Sequence, residues 1–203
     1  MDNIEISKFN IMILGEMSVG KSSICQVHVK LVFDKYMLPT IGVENFTKKK
    51  IIDGKEYTFK IFDTAGEEKY KSISTNAINI CTGFILVFDV TKADTFHKIE
   101  SWVNTISDNV ALEDKVIYLV GNKIDLENRE VSEGQAKIYA IQNNFKYFEA
   151  SAKEQKNINE IFDQLYMDVY NLSKKSNKVN DSIRLNFENF KEKKNKKGCC
   201  SHN

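Results

Sequence analysis

Hydrophobic and polar positions divide the chain into short apolar runs separated by segments of helical periodicity. Phe9-Asn10-Ile11-Met12-Ile13-Leu14 is apolar enough for a buried strand. Ser22 to Leu31, free of Gly and Pro, predicts a helix. A polar loop from Phe33 to Gly42 follows and holds the only proline, Pro39. Phe46 to Ile52 and Tyr57 to Phe62 predict two strands joined at Asp53-Gly54, a hairpin signal. Lys48, Lys49 and Lys50 place the first of them at an exposed edge, where charge discourages stray pairing. Phe84 to Phe88 and Val116 to Val120 are continuous apolar runs, as parallel strands covered on both faces require. Phe96, Ile99, Val103 and Ile106 make one stripe on a helix predicted over Thr95 to Val110, with Trp102 beside it as core or rim packing. Ser132 caps a helix to about Asn143, with Ala136, Ile138, Tyr139 and Ile141 among its apolar residues. Tyr147-Phe148 begins a final strand, and Ile158 to Leu172 is an amphipathic last helix. Strands alternating with helices predict a doubly wound α/β domain, with its ligand outside the carboxyl ends of the strands.

Length changes this picture little: 203 residues suit one domain with some chain to spare. The expected organisation is a domain over 1–175 and a flexible basic tail over 176–203. No apolar run reaches the roughly eighteen residues of a membrane span. Met1-Asp2-Asn3 is polar, without a signal-peptide core, and Asp2 stands where myristoylation needs Gly. Cys25 and Cys81, in apolar surroundings, read as reduced core thiols of a cytosolic protein. Charge is uneven. From Lys174 onward nine basic residues face three acidic ones, so the tail carries +6 and the remainder −5. That balance fits either an anionic surface as partner or a solvated tail.

Candidate chemistry sits at the predicted strand ends. Gly15-Glu16-Met17-Ser18-Val19-Gly20-Lys21-Ser22 fits the phosphate-loop pattern between a strand and a helix. Its glycines let backbone amides converge on phosphate oxygens, and the helix N-terminus adds partial positive charge. Lys21 is expected to reach the β- and γ-phosphates, and Ser22 to ligate Mg²⁺. Taken alone, the loop also fits a turn before a surface helix. Asp63, in Asp63-Thr64-Ala65-Gly66, can hold Mg²⁺ opposite Ser22. In Asn122-Lys123-Ile124-Asp125, the Asp125 carboxylate can accept both N–H groups of a guanine edge, which adenine lacks; it could also be a turn cap. Ser151-Ala152-Lys153 can bring a backbone amide to the guanine oxygen. Together, in order and on strand ends, they favour a guanine-nucleotide site. The histidines His28, His97 and His202 have no partners at metal-site spacing and are assigned to packing or surface roles.

These residues resemble the Ras-like small GTPases, and within them the Rab family, over about 8–172 and at the extreme C-terminus. The resemblance implies a P-loop NTPase fold with a six-stranded, mostly parallel sheet flanked by helices. It implies a GTP/GDP switch in vesicle-mediated traffic that hydrolyses GTP slowly. Gly15, Ser18, Val19, Gly20, Lys21, Ser22 and Ser23 would bind phosphates, and Ser22, Thr40 and Asp63 would hold Mg²⁺. Phe33, seven residues before Thr40, would pack on the base that Asn122, Lys123, Asp125, Ser151, Ala152 and Lys153 recognise; its alternative is an anchor for its own loop. Lys21, Thr40, Gly66 and Glu67 would act in hydrolysis. Pro39-Thr40-Ile41-Gly42-Val43 and Cys199-Cys200-Ser201-His202-Asn203 are the most Rab-like stretches, and the loop and ending lean towards an endosomal branch.

Departures from the family are Glu67 for the usual Gln, Met17 and Ser18 where small residues are commoner, Phe62 for Trp, and Asn45 for Phe with Phe46 one place later. Glu67 leaves a switch with little hydrolysis as the alternative, and a P-loop kinase or ATPase is the rival that Asn122 to Asp125 opposes. Adjacent Cys199 and Cys200 look like a double geranylgeranylation site beside Lys191, Lys193, Lys194, Lys196 and Lys197; an exposed redox pair is the other reading. Ile183-Arg184-Leu185 resembles the tail segment that docks on escort and GDP-dissociation-inhibitor proteins. The partners implied are these, an exchange factor, a GTPase-activating protein, effectors and a membrane. No nucleic acid is implied, and a monomer is expected on the cytoplasmic face of intracellular membranes.

Overall fold

The computed structural model describes residues 8–65 and 77–175. Gly66, Glu67, Ile183 to Leu185, Cys199, Cys200 and the basic stretch before them lie outside the described residues.

Six strands form one sheet in the order β2-β3-β1-β4-β5-β6. β1 (Lys8–Leu14) alternates side chains to both faces and is buried from Ile11 to Leu14, so it can only be an inner strand. β2 (Val43–Ile52) and β3 (Lys55–Thr64) pair antiparallel. Their turn, Asp53-Gly54, has φ of 49° and 75°, the left-handed pair that matches a two-residue hairpin to strand twist. The ladder runs to Val43↔Thr64, longer than the apolar runs alone indicated, because the outer residues of β2 are polar and exposed yet still bond to β3. β4 (Gly83–Asp89), β5 (Val116–Asn122) and β6 (Lys146–Ala150) complete the parallel part of the sheet. Every residue of β4 is buried, as expected of a central strand.

β2 is the edge that its lysines foretold, but two of them also reach across to helices. Lys50 pairs with Asp163 at 2.7 Å, and Lys48 Nζ donates to the His28 carbonyl at 3.5 Å.

α1 (Lys21–Lys30) starts one residue earlier than the periodicity indicated. It stops before Leu31, which caps it in the left-handed conformation at φ 57°. The helix expected over Thr95 to Val110 is two: α2 (Ala93–His97) and α3 (Ile99–Ser107), with Lys98 between them at φ −77°, ψ −6°. Each piece has its own anchor. Thr95 Oγ1 accepts the Asp89 amide at 3.0 Å, and Phe96 packs on Phe88 and Tyr139. Ile99, Trp102, Val103 and Ile106 instead enter the core beside Leu86 and Phe88. Periodicity registers the shared stripe and not the separate anchors. α4 (Glu133–Gln142) begins at the expected Ser132, which forms a capping box with Gln135. Of its apolar residues Ala136 and Ala140 are buried, while Ile138 and Ile141 point to solvent.

The last helix, α5, spans 158–175. Among the described residues the chain divides after Val169, with 170–175 in a second unit. In the first, His28 of α1 stacks on Phe162 at 3.9 Å, and Tyr166 meets Phe59 of β3 at 4.1 Å. In the second, Ser173 Oγ donates to the Tyr170 carbonyl at 2.7 Å. α1 and the 158–169 part of α5 thus share one face of the sheet, and α3 and α4 pack with the cluster holding Met12, Leu14 and Phe84.

Candidate nucleotide-binding site

The loop after β1 is shaped by close approach. Gly15 has φ 143°, and a Cβ there would lie 2.2 Å from the Val87 carbonyl oxygen, so no other residue fits. Ser18 takes a left-handed φ of 62°, and Val19 is fully buried. Gly20 is the N-cap of α1 at φ 97°. Lys21 follows with 5% exposure, and its Nζ donates to the carbonyls of Gly15 at 2.9 Å and Glu16 at 2.8 Å. Burial brings this ammonium down to about 8, against the opposing pull of Asp63 and Glu16. A buried cation whose bonds among the described residues go to loop carbonyls is poised for an anion.

Beyond Lys21, three oxygen-bearing side chains meet. The Ser22 and Thr40 hydroxyls are 2.6 Å apart, and Thr40 Oγ1 donates to Asp63 Oδ2 at 3.5 Å. Asp63 Oδ1 is buried and has no hydrogen-bond partner among the described residues. Burial foremost pushes the Asp63 carboxyl up to about 6, although the Ser22 hydroxyl and Lys21 oppose this. One carboxylate with an orphaned oxygen, beside two hydroxyls, is a hard-oxygen donor set that fits Mg²⁺. Among the described residues there is no group of three His, Cys, Asp or Glu side chains that could hold a metal otherwise.

The other end of the site is built from the ends of β5 and β6. Asn122, 1% exposed, donates Nδ2 to the Val19 carbonyl at 2.8 Å and accepts the Ala152 amide on Oδ1 at 3.2 Å. It joins the phosphate loop to the segment after β6. Lys123 has φ 70°, and its Nζ pairs with Asp89 at 2.7 Å. Burial alone would raise the Asp89 carboxyl, but its bonds to Lys123 and Thr91 bring it below the usual range. Asp125 accepts the Ser151 hydroxyl at 2.7 Å and lies 3.5 Å from Lys153 Nζ. A cleft of about 370 Å³ runs between the two ends, lined by Ser18, Gly20, Lys21, Ser22, Ser23, Phe33, Thr40, Asn122, Lys123, Asp125, Ala152 and Lys153.

The predicted site residues therefore meet in one place, with exceptions of kind. Gly15, Val19, Asp63 and Ser151 are buried and do not line the cleft: Gly15 packs on the Val87 carbonyl, Val19 plugs the loop into the core, Asp63 meets Thr40, and Ser151 supports Asp125 from behind. Gly66 and Glu67 lie outside the described residues. Sequence reasoning passed over Asp89 and Glu16. Asp89 carried the same signal as Asp63, a carboxylate ending an apolar strand.

The chain matches the Ras family over residues 10–171. It belongs to the Ras family of small GTPases. Its similarity is to the Rab members: it is 38% identical over 165 residues to Ras-related protein Rab-18-B of Danio rerio, covering 81% of this chain and 80% of that one. It is 35% identical over 177 residues to Ras-related protein Rab-11C of Dictyostelium discoideum, covering 86% and 79%. With Ras-related protein YPTC6 of Chlamydomonas reinhardtii it shares 33% identity over 207 residues, covering 95% and 94%. As a Rab-family GTPase it is a GTP hydrolase with the expected P-loop fold. One departure has a visible consequence. The alternation of β2 turns Phe46 inward, 6% exposed, and leaves Asn45 outward. This Rab-family surface therefore presents an amide at position 45. No helix among the described residues is long and apolar enough to cross a membrane.

Proposed function

We propose that the cleft binds GTP and GDP with Mg²⁺ and hydrolyses GTP as a switch in vesicle-mediated traffic. The observation that carries this reading is Asn122, which ties the Val19 carbonyl to the Ala152 amide and so builds the phosphate and base ends as one site. Gly15 to Ser23 take the phosphates, with Lys21 neutralising charge that grows on the β–γ bridge. Ser22, Thr40 and Asp63 hold Mg²⁺, which when bound offsets phosphate charge as a Lewis acid. Phe33 packs on the base. Asp125 accepts its N1 and N2 hydrogens, Asn122 and Lys123 frame the pocket, and Ser151, Ala152 and Lys153 close it. Thr40 responds to the γ-phosphate through its own loop, 33–42, which GTP orders and hydrolysis releases. Gly66 and Glu67 act at the γ-phosphate and the attacking water. Competition of GTP, GDP and ATP for the Mg²⁺-loaded protein tests the reading; equal competition by ATP overturns it.

Glu67 supports a second reading, a switch with little intrinsic hydrolysis. A Gln there both accepts and donates a hydrogen bond, whereas a carboxylate only accepts and adds charge near phosphate. Single-turnover phosphate release from the parent and Glu67→Gln, each with and without an activating protein, separates the two. Equal rates make the departure irrelevant.

Residues 1–175 form the switch domain in this reading, and 176–203 the tail. Geranylgeranyl groups on Cys199 and Cys200, with the nearby lysines, anchor the protein to the cytoplasmic face of an intracellular membrane, endosomal by the lean of its motifs. Escort and GDP-dissociation-inhibitor proteins handle the lipidated tail, and an exchange factor, an activating protein and effectors act on the switch. Mass spectrometry of the native C-terminus checks the lipids. An unmodified pair on membrane-bound protein overturns that anchor.

A further inference from the structure

Glu16 faces two ways. Its backbone carbonyl accepts Lys21 Nζ at 2.8 Å. Its carboxylate accepts Lys98 Nζ at 3.0 Å and Trp102 Nε1 at 3.2 Å. The Glu16 side chain is only 15% exposed, and Trp102 is 1% exposed. The Trp102 bond is therefore made largely out of water, where charge-assisted hydrogen bonds are strong, while Lys98, about half exposed, closes the Glu16 carboxylate from the solvent side.

The two donors come from one place in the fold. Lys98 is the residue at which α2 gives way to α3, and Trp102 lies four residues on, on the same side of the chain. The phosphate loop consequently has two anchors. Asn122 holds its second half by the Val19 carbonyl. The first half, where Gly15 offers no side chain and Met17 is 55% exposed, is held through Glu16.

We infer that Lys98 and Trp102 are positioning residues for Lys21: by clamping the Glu16 side chain they hold the Glu16 carbonyl, and through it the ammonium, where phosphates bind. The junction of α2 and α3 thereby sets how tightly the nucleotide is gripped. This rests on the reading of Lys21 as the phosphate-binding group.

The test uses the full chain loaded with GDP and follows GDP release and GTP affinity. Lys98→Met removes the ion pair, Trp102→Phe removes the N–H but keeps a ring, and Lys98→Arg restores the cation. Lys98→Met and Trp102→Phe are each expected to speed GDP release by about three- to thirtyfold. Lys98→Arg should stay within about twofold of the parent, the range in which independent effects scatter. Adding Glu16→Gln to Lys98→Met should change little further. Lys98 is about half exposed, so Lys98→Met reports on the clamp even where Trp102→Phe lowers stability. Release within about twofold of the parent for Lys98→Met, or full additivity of the Glu16 and Lys98 changes, overturns the inference. Lys21→Met separates the levels. If it leaves GTP affinity intact, the reading of Lys21 falls and the clamp with it. If it abolishes binding while the clamp variants behave as parent, the clamp alone falls.

Discussion

Asn122 donates its side-chain amide to the carbonyl of Val19, 2.8 Å away and 103 residues earlier in the chain. The same side chain accepts the Ala152 amide. One buried residue thus joins three segments that sequence places far apart, and the two ends of the cleft depend on it together.

Asn122→Ala is expected to lower nucleotide affinity and stability at once. It strands a buried carbonyl and a buried amide, each costing about 1–3 kcal/mol when unpaired. Isothermal titration with GDP and a melting curve without nucleotide measure the two effects. A lower melting temperature with unchanged affinity would mean that the bridge is structural only.

Asp125→Asn should turn base preference from guanine towards xanthine. Asp125 is held by Ser151 and lies near Lys153, so its carboxylate is oriented before any base arrives. Replacing an acceptor by a donor removes a charge-assisted bond, typically about 1.5–3 kcal/mol, or roughly ten- to hundredfold in GTP affinity. Competition between XTP and GTP reads the switch. Retained GTP preference would move guanine recognition elsewhere.

Ser22→Asn should weaken the dependence of nucleotide binding on Mg²⁺. The hydroxyl stands 2.6 Å from that of Thr40 and beside the orphaned oxygen of Asp63, where an amide is too large to substitute. GDP release is measured with excess Mg²⁺ and with chelator. An undiminished Mg²⁺ effect would remove Ser22 from the cation site.

The stability contributed through His28 should fall as pH drops from about 6.5 towards 4, against the opposite contribution of the raised Asp63 carboxyl. His28 is 2% exposed; Nδ1–H donates to Asn159 Oδ1 at 3.1 Å, leaving Nε2 to accept the Tyr166 hydroxyl at 2.7 Å. Burial foremost, with Lys48 and Lys50 adding to it, brings the imidazole down to about 4, although Asn159 and Asp163 pull the other way. Between the two values the unfolded chain binds the proton and the folded chain does not, so unfolding gains on acidification. The effect is absent above the unfolded value and reaches about 3 kcal/mol near the folded one. Urea unfolding of parent and His28→Gln across that range checks it. A slope unchanged by the substitution would assign the acid sensitivity to other groups.

Local pattern determined much of this protein. Apolar runs marked the strands because a strand covered on both faces must be apolar throughout, as β4 is. Asp53-Gly54 announced its turn because few residues accept two left-handed conformations in succession. The loop from Gly15 to Ser22 and the strand-end polar residues were legible because their spacing is tied to backbone shape. Other features depend on contacts across the chain, which spacing does not carry. Tertiary structure alone split the stripe at Lys98, since Thr95 and Trp102 answer to different neighbours. It alone turned Phe46 inward and Asn45 outward, set Asp89 against Lys123, and left Asp63 with a buried oxygen to satisfy. It also made Glu16, silent in the motif, the point where the junction of α2 and α3 meets the phosphate loop. A side chain's burial and partners belong to whatever packs against it, and for these residues the partners lie tens of residues away.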